Sequence, residues 1–132
     1  MSIQLIQTFI TVNDADESLV FYRDLLGLEL RNDVGSGGFR WLTLAAPGQS
    51  VEIVLEQALA GRPEQDGEAL LTLVTKGSLH GAHFSTPDLD TTFEKIRASG
   101  AEVLQEPMQQ PWGVKDCAFR DPSGNVIRIN QA

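Results

Sequence analysis

The chain has 132 residues, enough for one compact domain or two small modules sharing a core, and its 42% hydrophobic and 21% charged composition is ordinary for a globular chain. Ten basic against eighteen acidic residues give −8, which argues against nucleic acid and anionic membrane surfaces as partners, since both need a positive footprint. A single cysteine, Cys117, excludes an internal disulfide; Met1-Ser2-Ile3-Gln4 lacks a leader's charged start, and no stretch reaches the ~18–20 apolar residues of a membrane span, so the expected location is cytoplasmic.

In chain order, Ile3–Val12 reads as a strand buried on both faces. Leu5, Gln7, Phe9 and Thr11 point one way, and Ile6, Thr8, Ile10 and Val12 the other. Asn13 is the expected N-cap of a helix whose first turn carries Asp14, Asp16 and Glu17, where carboxylates suit the helix dipole. Leu19, Tyr22 and Leu26 follow at helical spacing, and Gly27 stands where such a helix would stop. Leu28–Arg31 is read as a short strand, the glycines at 35, 37 and 38 as a turn, and Phe39–Leu44 as a strand. Pro47-Gly48 then turns the chain into Val51–Leu55. Residues 57–78 form the expected connection, with a strand or short helix near Leu70–Val74.

From Leu79 the order repeats, about 74 residues further on. Leu79–Thr86 is a strand, and Asp88–Ser99 a helix with Leu89, Phe93 and Ile96 on one face, ended by Gly100. Val103-Leu104, Val114–Phe119 and Asn125–Asn130 follow as strands. Each half is thus β-α-β-β-β. A duplicated unit of this size cannot bury its apolar face alone. The expected fold is α+β, two βαβββ modules (about 1–56 and 79–132) in a single domain, forming a curled eight-stranded mixed sheet with a cup between them.

The segments Thr11-Val12-Asn13-Asp14, Ser18 to Leu28, Phe39-Arg40-Trp41-Leu42, Pro111-Trp112-Gly113 and Phe119 to Ile127, met in this order, resemble the vicinal oxygen chelate superfamily. That group includes glyoxalase I, extradiol dioxygenases and bleomycin-resistance proteins. The resemblance covers nearly the whole chain and implies the fold more firmly than any one activity, because this fold hosts many. It also implies a homodimer.

The family's enzymes hold a divalent metal with two side chains from each module, one on the first strand and one on the last. Counted from Asp14 and Gly48, the first-module positions are Gln7 and Glu52; the same offsets from Asp88 and Gly124 give Gly81 and Arg128. Glycine offers no ligand and a guanidinium repels a cation. The expectation is therefore no bound metal; if one is present, Gln7, Glu52 and His83 would hold it, with His83 reaching the site by a slip of register. His80 is expected on the opposite face. Arg128 then either stands in for the metal's charge beside Glu52 and Gln7, or makes an internal ion pair with Glu52.

Trp41 and Trp112 are expected as flat walls for a flat ligand, against simple core packing for Trp41. Phe9, Phe39 and Phe119 are read as core. His83 and Glu52 are the candidates for moving a proton. Cys117, mid-strand and without a basic neighbour in sequence, is read as an inert buried thiol. The resulting expectation is a protein that binds a small organic molecule in the cup, using Gln7, Trp41, Glu52, His83, Trp112 and Arg128. The alternative is a metal-dependent lyase, isomerase or dioxygenase acting on vicinal-oxygen substrates.

Overall fold

The computed structural model describes residues 2–132, leaving aside the side chain of Ser36; Met1, part of the stretch read as lacking a leader, lies outside them. Among the described residues, eight strands form two four-stranded mixed sheets joined with helices in an α+β arrangement. The chain divides into two compact units, Met1–Thr72 and Leu73–Ala132. Among the described residues no helix is long and apolar enough to cross a membrane.

The first unit holds β1 (Gln7–Val12), α1 (Ala15–Leu19), β2 (Glu29–Ser36), β3 (Phe39–Ala45) and β4 (Glu52–Gln57). Its sheet runs β1-β4-β3-β2, with β1 parallel to β4 and the other pairs antiparallel. β1 starts at Gln7, four residues later than the apolar run suggests. Its burial is one-sided: Ile10 and Val12 are buried, while Phe9 is 55% exposed. Phe39 is also largely exposed, so of the three phenylalanines assigned to the core only Phe119 is there. The apolar alternation was a poor guide here because one sheet face is left open and still carries an aromatic ring.

Asp14, not Asn13, caps α1. Its carboxylate accepts from the Glu17 backbone N–H at 2.9 Å. The helix continues as a π-helical turn over Val20–Leu25, and Leu19, Phe21 and Tyr22 are buried. Asp14→Ala is expected to cost about 1 kcal/mol of stability, the usual worth of an N-cap side chain, measured by urea denaturation.

The segment read as a connection contains a full helix, α2 (Glu64–Thr75), and the division between units falls inside it. Pro63 opens it, its carbonyl accepting from the Asp66 and Gly67 N–H groups. Gly67 lacks a Cβ because Leu59 lies against it.

The second unit repeats the order with β5 (His80–Thr86), α3 (Leu89–Ala98), β6 (Val103–Gln109), β7 (Lys115–Arg120) and β8 (Val126–Gln131), the sheet running β5-β8-β7-β6. Asp88 caps α3 as Asp14 caps α1, accepting from the Thr91 N–H. Leu89, Phe93 and Ile96 are buried, and the Phe93 ring lies 5.3 Å from that of Phe119. The turn before β8 is built on the buried Asp121. Its Oδ1 accepts from the backbone N–H groups of Ser123, Gly124 and Asn125, each at 2.9 Å, and its Oδ2 accepts from the Asn125 amide.

Candidate functional site

Residues paired across a ladder point to the same side of a sheet, so the registers assign the faces. In the first sheet Gln7 pairs with Glu52, Phe9 with Val54 and Thr11 with Glu56, while Thr43 also pairs with Val54. Trp41, two residues from Thr43, therefore shares that face with Gln7 and Glu52. The Gln7 side-chain amide donates to Glu52 at 2.9 Å. Glu56, which the sequence reading passed over, accepts from the Thr11 hydroxyl and from Arg62, both at 2.8 Å. The alternation Glu52, Val54, Glu56 was the available signal. Trp41 is 44% exposed, so part of its ring is free for contact.

The second sheet departs from the first at its edge strand. His80 pairs with Val126 and His83 with Arg128, with a register shift between them. Three steps along β5 thus match two along β8: one extra residue is inserted as a β-bulge. The bulge breaks the alternation, so His80 and His83 share one face with Val126 and Arg128. His80 does not point away from His83 as strict alternation requires. A Cβ built on Gly81 would meet Ile127 Cδ1 at 2.6 Å and Asn125 Cβ at 3.3 Å. Ile127 is fully buried, so a side chain at position 81 would head into the core rather than toward the His83 face. Gly81→Ala is accordingly expected to destabilise the protein by about 1–3 kcal/mol through overpacking, visible as a lower Tm.

Counting from the two turn glycines also misaligns the last strands. By pairing, Glu52 is level with Val126, and Val54 is level with Arg128: Thr43 pairs with Val54 where Ala118 pairs with Arg128. The Pro47-Gly48 loop is simply longer before its strand begins than the Asp121 turn is.

Arg128 has an acidic neighbour, but it is Asp116 on β7, where Glu52 is the expected one. Arg128 Nη1 donates to Asp116 Oδ2 at 3.2 Å and to Gln105 Oε1 at 2.9 Å. The buried Asp116 carboxylate also accepts from Gln105 Nε2 and Gln110 Nε2, both at 2.8 Å. Burial by itself would raise the Asp116 carboxyl. The hydrogen bonds from Gln110 and Gln105, with the Arg128 charge, outweigh it and hold the group below the usual carboxylate range. Gln105, Gln110 and Asp116 lay outside the sequence-derived set because no short motif carries them; three strands and a turn bring them together. Next to Asp116, burial and that carboxylate's charge push the Cys117 thiol up to about 11, in keeping with an inert thiol.

His80, Gly81, Ala82, His83, Val126 and Arg128 line a hollow of about 320 Å³ in the second unit. This is near the lower end for small-molecule sites. Trp112, at the tip of the β6–β7 hairpin, is not among its lining residues and is 72% exposed.

Among the described residues no three His, Cys, Asp or Glu side chains stand together as ligands. Gln7 and Glu52 are bonded to each other, and the second module puts a permanent cation on its histidine-bearing face.

A family model for the Glyoxalase/Bleomycin resistance protein/Dioxygenase superfamily matches residues 4–129, and the chain belongs to that family. It is 36% identical to a probable lactoylglutathione lyase from Synechocystis sp. (strain ATCC 27184 / PCC 6803 / Kazusa), over 96% of this chain and 94% of that one. Among solved structures it resembles UcmS2 at a TM-score of 0.89 and 31% identity, covering 100% of both chains. It also resembles TnmS3, an antibiotic binding protein from Streptomyces sp. CB03234, at a TM-score of 0.76 and 28% identity, covering 98% of this chain and 97% of that one.

Proposed function

We propose that this protein binds a small organic molecule, as a recognition or sequestering member of its family, without a resident metal. The observation that carries the reading is the second module's hollow, where an arginine held by Asp116 and Gln105 shares a face with two histidines. The likeness to an antibiotic binding protein supports it. In this reading Arg128 and His83 are polar contacts of the second module's hollow. Trp41 and Trp112 offer ring faces on which a flat ligand would stack. A homodimer belongs to the same proposal and is read directly by sedimentation.

Dialysed protein should contain substoichiometric divalent metal and show a thermal upshift with flat aromatic antibiotics, because a ligand bound only to the folded state stabilises it. It should not isomerise thiol-conjugated aldehydes. The second reading, a metal-dependent lyase, isomerase or dioxygenase with Glu52 or His83 moving a proton, draws on the probable lactoylglutathione lyase relative. One tightly held metal per chain together with turnover of those aldehydes would replace the first reading with the second.

A further inference from the structure

The Arg128 guanidinium is used on one side only. Nη1 is committed to Asp116 and Gln105, whereas among the described residues Nε and Nη2 have no partner. The side chain is 31% exposed, so it is neither sealed in nor free to wander. Its orientation is fixed from behind: Gln105 donates to Asp116 while accepting from Arg128, and Gln110 donates to both Gln105 and Asp116. The edge left open, Nε with Nη2, carries two parallel donors whose spacing matches the two oxygens of a carboxylate.

The surroundings suit the same chemistry. His80 and His83 are exposed on the Arg128 face, and neither imidazole has a hydrogen-bond partner among the described residues. No carboxylate lines the hollow, in a chain whose net charge is −8. Asp116 lies on the guanidinium's far side, its oxygens already taken by Gln105, Gln110 and Arg128. A cationic ligand would face the permanent positive charge of Arg128 here.

We infer that the hollow is an anion subsite: it takes a ligand bearing a carboxylate or a comparably planar oxyanion, gripped by the Nε–Nη2 edge of Arg128 and flanked by His80 and His83. This rests on the reading that the hollow binds a small molecule, and names the ligand's class.

The test titrates the intact protein with 2-naphthoate and with its neutral amide, 2-naphthamide, followed by backbone amide shifts. The acid should bind about tenfold more tightly than the amide and perturb Gly81, Ala82 and His83. Arg128→Gln should erase the difference. Arg128→Lys keeps the charge beside Asp116 but lacks the fork, and should lose most of it; this variant serves if the glutamine one folds poorly. His80→Gln with His83→Gln, both at exposed positions, should narrow it. Equal affinities for acid and amide overturn the anion subsite and leave small-molecule binding standing. So does a preference for the acid that survives in both Arg128 variants. If neither probe perturbs β5 or β8, the subsite is overturned and the antibiotic titration decides the broader reading by itself.

Discussion

Gly124→Ala is expected to be the most damaging single-methyl change in the protein, costing about 4 kcal/mol or more of stability. Two effects combine. Gly124 has φ +117°, where an L side chain is strained. Its missing Cβ would also land on the carbonyl oxygen of Val74, with Thr75 O at 3.3 Å. Both obstacles are backbone, so neither can rotate away. The turn itself cannot shift easily, because Asp121 holds three consecutive N–H groups across it. Gly27→Ala separates the two causes: φ is +81° there, but nothing lies within 4 Å of the added carbon. That variant should lose only about 1–2 kcal/mol. Urea denaturation of both gives the comparison, and equal losses would show that the Val74 contact yields.

Asp116→Asn is expected to cost about 2–3 kcal/mol at neutral pH, since an amide placed among the Gln105, Gln110 and Arg128 donors leaves some of them without an acceptor. Its pH dependence follows from the depressed carboxyl. A carboxyl that is more acidic folded than unfolded stabilises the fold above its unfolded pKa, and that contribution disappears as pH falls through the folded value. Wild type should therefore lose stability below about pH 4, where a free aspartate starts to take up a proton. The variant lacks this component, so the gap between the two proteins should close as pH falls through that window. Denaturation at pH 7 and at successively lower pH tests it; a gap that stays constant would mean the carboxylate's charge contributes nothing.

Much of the frame was legible in the residues. Two strand–helix starts at Asn13-Asp14 and Asp88, glycines after both of those helices and the Asp121-Pro122-Ser123-Gly124 turn placed the duplicated βαβββ order, and the strands fell within a few residues of expectation except where they run longer. The α2 helix was only glimpsed because Gly67 and a run of acidic residues obscure its apolar side. The candidate site was legible in its residue types and less so in its arrangement. Offsets counted from turns assume equal loops and unbroken alternation. The Pro47-Gly48 loop violates the first and the β5 bulge the second, so Gly81, His80 and Arg128 all moved relative to their expected neighbours. Asp116, Gln105 and Gln110 could not be found by spacing at all, since only strand pairing makes them neighbours.

Among the described residues β5 is the end strand of its own sheet, laddered to β8 alone, so an added residue there disturbs a single row of hydrogen bonds. Such an insertion re-aims an imidazole while the buried row, Ile127 and Ile129, keeps its place. Two halves built on the same element order differ in what they display by this route, through a length change of one residue and with no redesign of the hydrophobic interior.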